Sequence, residues 1–152
     1  MENTYEPLSF DTDTTDVDTS MPVLAAGLYD LSVNVLGQER NKRDDGYNLV
    51  VAFKTVDEST STRDRVIKPG FTLKNWYPLQ SVDKDTGEPT KRWLENICQL
   101  IDAALGTTQA DRPSLKLGLE QSHGQTVRAR IVVEHDDNGI PRNKVKSFVK
   151  QD

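Results

Sequence analysis

The chain has 152 residues and a mass of 17.1 kDa, which is room for one domain of ordinary size and too little for a large multidomain enzyme. Hydrophobic residues make up 35% of it and charged residues 28%, and no run approaches the roughly 18 consecutive apolar residues that cross a bilayer. The net charge of −5, from 19 basic and 24 acidic residues, argues at first sight against a nucleic-acid partner, because phosphate binding requires cations.

The acidic residues are unevenly distributed. Residues 1–20 contain six of them and no Lys or Arg, so the rest of the chain holds 19 basic and 18 acidic residues, a net charge of +1. The stretch 10–20, FDTDTTDVDTS, is almost free of apolar residues and repels itself. We predict a flexible acidic arm over residues 1–21 and one folded domain over residues 22–152. Because the arm lacks the basic and apolar regions of a secretory signal, we expect a cytoplasmic protein with no membrane partner.

Two strands are predicted to follow the arm. In each, apolar residues recur at period two, which is typical of a half-buried strand: Tyr29, Leu31, Val33 and Val35 in the first, and Tyr47, Leu49, Val51 and Phe53 in the second. The polar stretch 37–46, GQERNKRDDG, is predicted to join them as the loop of a long hairpin. The stretch 57–64, DESTSTRD, has turn composition and is predicted to end the second strand.

A third strand and a helix are predicted next. The third extended segment covers residues 66–79, with a Pro-Gly pair that predicts a bulge or a bend. Over residues 90–105 the apolar residues recur at helical spacing, and Gly106 is predicted to stop this helix. A short helix is predicted over residues 114–120.

The last two strands are predicted to form a second hairpin. The stretch 135–142, HDDNGIPR, favours a turn because Asn-Gly supplies the positive φ that tight turns need. On the fourth strand, Val127, Ala129, Ile131 and Val133 face one side, and Thr126, Arg128, Arg130 and Val132 face the other. On the fifth, strict alternation places Val145 and Val149 on one face and Lys144, Lys146, Phe148 and Lys150 on the opposite face.

Three strands, a helix and a two-stranded hairpin give the order β-β-β-α-β-β. This is the element order of the OB-fold, whose helix lies between the third and fourth strands of the barrel. We therefore predict a mainly β protein, folded as a five-stranded OB-like barrel with one main helix.

The sequence offers little for catalysis. It contains no glycine-rich phosphate loop, no HExxH and no nucleophile elbow. A single cysteine excludes an intrachain disulfide, and two distant histidines argue against a zinc cluster. Cys98 falls on the apolar stripe of the predicted helix and is interpreted as a core thiol. We expect no enzymatic activity, no cofactor and no metal site.

Basic and aromatic side chains share faces of the predicted strands. If the fourth and fifth strands pair, Arg128 and Arg130 join the lysines and Phe148 of the fifth strand on one surface. Like charges opposite one another destabilise a sheet, so a polyanion that neutralises them is a simple explanation. Single-strand binding uses such cations for phosphates and flat side chains for stacking on bases. The alternative is that these Lys and Arg side chains solvate the sheet and block edge association.

The candidate nucleic-acid-binding residues come from the last four predicted strands and from the two loops beside the binding face of an OB-fold. The basic residues would contact phosphates, and the aromatic residues would stack on bases. The set is Arg40, Lys42, Arg43, Tyr47, Lys74, Trp76 or its neighbour Tyr77, Arg128, Arg130, Arg142, Lys144, Lys146, Phe148 and Lys150.

Three stretches, PVLAAGLYDLSVNV, RWLENICQLIDAALG and GQTVRARIVVEHDDNGIPRNKVKSFV, together resemble a family of small phage-encoded proteins associated with replication and recombination gene clusters. The resemblance covers residues 22–150 and is most specific in residues 124–132 and 142–148. Members of this family are regarded as OB-like single-stranded DNA-binding proteins. The resemblance therefore implies the same fold and the same partner here, inside a bacterial host cell.

We therefore expect a non-enzymatic single-stranded DNA-binding protein of phage replication or recombination. The acidic arm either imitates DNA on the basic surface or recruits a replication or recombination protein, and a solubilising terminus is the simpler alternative. Two other classes stay open, a structural phage decoration or adaptor protein and an OB-like module that binds only protein. The sequence also leaves a homo-oligomer open.

Overall fold

The computed structural model describes residues 11, 13–15, 22–40, 42, 46–79, 85 and 92–149. Apart from residue 11 and residues 13–15, the predicted acidic arm lies outside this part of the chain. Neither helix in the described ranges is long and apolar enough to cross a bilayer. The elements are β1 (Gly27–Arg40), β2 (Tyr47–Thr55), β3 (Ser59–Thr60), β4 (Val66–Ile67), β5 (Thr72–Pro78), α1 (Arg92–Leu105), α2 (Leu115–Ser122), β6 (Thr126–His135) and β7 (Pro141–Phe148).

Five strands form one antiparallel sheet in the order β5-β2-β1-β6-β7. The central strand is β1, in which Leu31 lies opposite Thr55 of β2 on one side and Val127 of β6 on the other. The strands β3 and β4 form a separate small sheet. The predicted mainly β class is confirmed, with both helices between the third and fourth strands of the main sheet. Within the described residues, β5 does not pair with β7, so the sheet is not closed.

The core lies between one face of this sheet and α1. Alternate residues of β1, β2 and β6 are buried on that face, as the period-two pattern predicts. The helix contributes Ile97, Leu100 and Ile101, all fully buried, which agrees with the predicted apolar stripe. In β2, Val50 and Ala52 are also buried although they face away from α1. Larger neighbouring side chains must therefore cover the outer face of β2.

The strand β1 is longer than the sequence predicts. Its register on β2 shifts between Val35 and Gly37, where Gly37 has a φ of +112°, and pairing then continues to Arg40. Because a bulge absorbs the glycine without ending the strand, the predicted loop over residues 37–46 begins too early. His123 supports the bulge, since the Val35 N–H donates to His123 Nδ1 at 2.9 Å.

The stretch 57–64 follows the end of β2 at Thr55, as predicted, but it also contains β3, which the sequence did not predict. The two residues of β3 pair with those of β4, and the Ala25 N–H donates to the Thr60 carbonyl at 3.0 Å. Short polar strands of this kind have no apolar period for sequence analysis to detect. The predicted break in the third extended segment is confirmed. Between β4 and β5, Gly70 has a φ of +97° and its N–H donates to the Thr55 carbonyl at 2.8 Å.

The helix α1 ends where the sequence predicts. Gly106 has a φ of +69°, and its N–H donates to the Asp102 carbonyl at 2.8 Å. The Asp102 carboxylate accepts hydrogen bonds from Arg112 Nε at 2.8 Å, Arg112 Nη2 at 2.6 Å and Thr107 Oγ1 at 2.7 Å. These bonds fix the segment that joins α1 to α2. Cys98 of α1 is only half-buried and forms no disulfide.

The helix α2 packs against α1 at a glycine. A Cβ atom built on Gly118 would lie 2.8 Å from Ile101 Cδ1 and 3.1 Å from Ile101 Cγ2, closer than van der Waals contact. Ile101 is fully buried and has little space into which to move. The two helices can therefore approach here because position 118 has no side chain.

We expect Gly118→Ala to lower the free energy of unfolding by about 1 kcal/mol, because overpacking against Ile101 outweighs the better helix propensity of Ala. Urea denaturation followed by circular dichroism measures this change. The cost should be smaller in an Ile101→Val background, which lacks the Cδ1 atom. Equal costs in the two backgrounds, or a stabilised single variant, would contradict the close approach.

Candidate functional site

A groove of about 530 Å³ lies between the edge strands β5 and β7, and we call it the β5–β7 groove. Residues 74–78 of β5 and 142–148 of β7 form its walls, and Asn96, Gln99 and Glu134 complete the lining. Within the described residues, β5 pairs only with β2 and β7 only with β6, so each presents an unpaired edge. Cα atoms of the two strands approach within 8 Å of one another. The groove is thus the opening between the two ends of the sheet.

Basic side chains dominate the charge of the β5–β7 groove. The one carboxylate in its lining is that of Glu134, which lies opposite Arg142 in the ladder and has its Oε1 3.7 Å from Lys144 Nζ. That ion pair is well exposed, so it contributes at most about 1 kcal/mol and does not remove the positive field. With four cations against one carboxylate, the formal charge of the lining is +3; the cations are Lys74, Arg142, Lys144 and Lys146.

Trp76 is the exposed aromatic side chain of the groove, with 51% of its surface accessible. The sequence left open whether Trp76 or Tyr77 shares a face of the strand with Lys74. In the structure Trp76 lies with Lys74 on the outer face of β5. Its Nε1–H donates to Glu39 Oε1 at 2.7 Å, which fixes the direction of the indole. Val50 lies opposite Trp76 in the ladder and is only 4% exposed. The indole therefore covers the outer face of β2 while half of its surface stays in solvent.

Tyr77 has the opposite orientation to Trp76. It is buried in the core, opposite Leu49 of β2, and this burial raises the pKa of its phenol. A buried ring has no accessible face on which a base can stack. Tyr77 therefore belongs to the wall of the groove and is not a stacking residue.

A β-bulge interrupts β7 at Lys146. Arg130 of β6 lies opposite Ser147, but the next residue, Ile131, lies opposite Val145, so Lys146 is the extra residue. The alternation of faces therefore fails in the middle of this strand. In the sequence KVKSF the one sign of the bulge is that its two apolar residues, Val145 and Phe148, would fall on opposite faces under strict alternation.

The bulge moves Phe148 to the core face of the sheet. Phe148 lies opposite Ala129, and its ring centroid is 5.8 Å from that of Phe53, with the rings tilted by 44°. The prediction that Phe148 shares the face of Lys144 is therefore wrong, since that prediction assumed alternation without a bulge. Phe148 borders the groove but packs against the core. Lys150, which was predicted for the same face, lies outside the described residues.

Arg128 and Arg130 project from the outer face of β6 and do not line the β5–β7 groove. Arg128 lies opposite Asp30 of β1 and borders a second pocket, of about 290 Å³, together with Asp30, Asp57 and Glu58. Three carboxylates beside one arginine repel an incoming phosphate. The structure therefore separates Arg128 from the cations of the groove. Arg130 shares the outer face of the β6–β7 ladder with Val132, which lies opposite Lys144, although Arg130 is not part of the groove lining.

The predicted residues of the first hairpin form a third group. Arg40, Lys42 and Tyr47 are exposed at the end of the β1–β2 hairpin, where Arg40 lies opposite Tyr47. They do not line the groove. Arg43 lies outside the described residues. Of the fourteen candidate residues, seven line the groove: Lys74, Trp76, Tyr77, Arg142, Lys144, Lys146 and Phe148.

Neutral amide side chains of the groove were not predicted from the sequence. Asn75, Asn96, Gln99 and Asn143 line it beside the cations, and amides both donate and accept hydrogen bonds. Asn143 also clamps the main chain of Leu24: its Oδ1 accepts from the Leu24 N–H at 2.8 Å and its Nδ2 donates to the Leu24 carbonyl at 2.9 Å. No periodicity marks such amides, so only the packing of the strands and α1 identifies them.

No known family model matches the chain, and a search of curated proteins finds no match. Within the residues that the structure describes, no group of three or more His, Cys, Asp or Glu side chains could hold a metal ion. The geometry defines a small mainly β protein with cations and amides between two sheet edges and the exposed indole of Trp76 beside them. Such a combination suits an extended anion that carries planar groups.

We expect Phe148→Ala to lower the free energy of unfolding by about 2 kcal/mol, because it removes the packing against Phe53 of a ring that is only partly buried. Lys146→Ala, two residues away and exposed, should change it by less than about 0.5 kcal/mol. Chemical denaturation of both variants measures the difference. If the Phe148→Ala protein is as stable as the unmodified chain, Phe148 is a surface side chain and does not pack in the core.

Proposed function

We propose that this protein binds single-stranded DNA along the β5–β7 groove and has no catalytic activity of its own. The observation that carries the proposal is the presence of Lys74, Lys144 and Lys146 in one groove with the exposed indole of Trp76. A single strand presents phosphates at regular intervals and bases without partners, so it satisfies the cations and the indole together. The bases of a duplex are stacked inside, where this indole could not reach them.

We further propose that the sheet is an OB-like barrel that is open between its third and fifth strands. Its strand order, with both helices between β5 and β6, is the order expected for such a barrel. The approach of β5 and β7 to within 8 Å supports this interpretation. OB-like barrels commonly bind oligonucleotides, which makes the fold compatible with the proposed partner.

The two walls of the groove have different tasks in this proposal. On β7, Lys144 and Lys146 contact phosphates, and each neutralised phosphate releases a counterion to the solvent. On β5, Trp76 stacks on a base, an interaction worth about 1 to 3 kcal/mol. Its hydrogen bond to Glu39 holds the indole in one orientation, so less side-chain entropy is lost on binding. Asn75 of the same wall would bond bases or phosphates, whereas the amide of Asn143 is engaged with the main chain of Leu24.

The biological setting that we propose is phage replication or recombination in a bacterial host cell. It rests on the resemblance of residues 124–132 and 142–148 to phage-encoded single-stranded DNA-binding proteins. The second of these stretches coincides with the β7 wall of the groove. The part of the resemblance that is most specific therefore includes residues to which we assign phosphate contacts.

The combined change Lys144→Ala and Lys146→Ala should weaken oligo-dT binding on the order of tenfold at low salt, because two phosphate contacts are lost. The slope of log affinity against log salt should become shallower by about 1.4, or about 0.7 for each phosphate. Fluorescence anisotropy of a labelled oligonucleotide at several salt concentrations measures both quantities. Trp76→Phe should in addition abolish most of the tryptophan quenching caused by oligo-dT.

A matched control is the double change Lys68→Ala and Lys116→Ala, which removes two exposed lysines outside the groove and should leave the affinity nearly unchanged. The change Arg128→Ala with Arg130→Ala should also have a smaller effect than the groove pair. If this arginine pair instead causes the larger loss, the site lies on the outer face of β6. An unmodified protein that shows no salt-dependent binding of oligo-dT would refute the proposed function.

A further inference from the structure

The helix α1 forms the inner side of the β5–β7 groove, because it packs against both edge strands. Asn96 and Gln99 of this helix are exposed and line the groove. They lie three residues apart and therefore on one face of the helix. The neighbouring Ile97, Leu100 and Ile101 are fully buried in the core. The two amides thus face the gap between the strands from a helix that the core holds in place.

The strand β5 adds a third amide on the inner side. Asn75 lies opposite Val51 of the core, so it projects from the inner face of the sheet, as Tyr77 does. Burial raises the pKa of the Tyr77 phenol, and a hydrogen bond from the Asn75 side chain opposes that rise. Asn75 is therefore anchored by Tyr77. Among the residues that the structure describes, Asn96 and Gln99 have no such side-chain partner, so their amides are available to a ligand.

Charged and neutral groups occupy different sides of the groove. Lys74 is on the outer face of β5, and Lys144 lies opposite Val132 on the outer face of the β6–β7 ladder. The one carboxylate of the lining, that of Glu134, pairs with Lys144 and so belongs to the outer side as well. Each amide of the inner side offers two N–H donors and one acceptor oxygen. A ligand in the groove would therefore meet cations on its outer side and neutral donors and acceptors on its inner side.

A nucleotide has the same division between a charged phosphate and a neutral base. An Asn or Gln amide presents a donor beside an acceptor, which suits a base edge with the complementary pair. Adenine has this pair on both of its edges, because its N6 amino group lies between N1 and N7. Guanine has only acceptors on the edge with N7 and O6, and each pyrimidine has the pair on one edge. Adenine can therefore bond an amide in two orientations, and each other base in one.

We propose that Asn96 and Gln99 of α1 bind the edge of one unpaired base in the β5–β7 groove and give the site a preference for adenine. This inference rests on the proposed function, which assigns single-stranded DNA to the groove but no base. The cations and the indole of Trp76 act on any nucleotide, whereas an amide distinguishes the bases by their edges. Because water competes for exposed amides, we expect a preference of about fivefold, at the lower end of what a bidentate amide–adenine pair supplies.

Competition against a labelled oligo-dT, followed by fluorescence anisotropy, tests the preference. The competitors are oligo-dT strands in which one central thymine is replaced by adenine, guanine, cytosine or N6,N6-dimethyladenine. We expect the adenine strand to bind about fivefold more tightly than plain oligo-dT, and more tightly than the guanine and cytosine strands. Dimethyladenine keeps the ring for stacking but lacks both N6 donors, so it should lose most of the gain. Equal binding of adenine and dimethyladenine would assign the preference to stacking and overturn the role of the amides.

The combined change Asn96→Ala and Gln99→Ala should reduce the adenine preference to less than about twofold and leave the affinity for plain oligo-dT nearly unchanged. Ala favours the helix more than either amide, so the variant should keep its fold, which urea denaturation checks. The matched control Gln109→Ala with Gln121→Ala removes two exposed amides outside the groove and should keep the preference. A preference that survives the change in α1 would contradict the assignment.

The lysines and the amides should also differ in what they change. Loss of Lys144 and Lys146 should weaken all strands by a similar factor, whereas loss of the two amides should affect the adenine strand alone. Binding of every strand with equal affinity, or tighter binding of guanine or cytosine, would overturn the adenine preference and leave the proposed function intact. A protein that binds none of the strands would overturn the proposed function itself.

Discussion

The β5–β7 groove depends on one constraint, which is that two sheet edges approach each other around a common core but do not pair. The fully buried side chains of α1, Ile97, Leu100 and Ile101, pack into the core of the sheet, while β1 holds the two halves of the sheet together at its centre. An unpaired edge leaves main-chain N–H and C=O groups that water or a ligand must satisfy. Side chains on both edges therefore face a shared space, and their chemistry decides what that space can bind.

Local sequence patterns predict the elements of this fold well because each pattern has a local physical cause. Period two in β1, β2 and β6 and the helical spacing in α1 reflect burial on one face, and Gly70 and Gly106 mark positive φ angles. The failures occur where a distant partner decides the structure. β3 is a strand because the chain at Ala25 and the residues of β4 lie beside it. The bulge at Lys146 appears only in the register of β7 on β6, and a lysine at that position does not distinguish a bulge from regular pairing.

The sequence predicts which types of side chain the candidate site contains, but only some of the residues that line it. Exposed positions on amphipathic strands direct attention to cations and aromatic residues, and half of the candidates meet in the groove. The others are separated by pairing that sequence does not reveal, as when Asp30 lies opposite Arg128. The amides of Asn75 and Asn143 join the site because two strands that are distant in sequence become neighbouring edges. Which charges lie side by side, and which strand edges meet, depends on the tertiary structure. Predicting them therefore requires the register of the whole sheet.

Protection of an open edge is the principal alternative explanation of the groove cations, since lysines on edge strands hinder association between sheets. That explanation accounts for Lys144 and Lys146 equally well, but it does not require an aromatic ring. Trp76 of the opposite wall exposes half of its surface, and Glu39 accepts a hydrogen bond from its indole. The proposed binding of an extended anion that carries planar groups would account for the cations and the indole together, because phosphates would pair with the former and a base would stack on the latter.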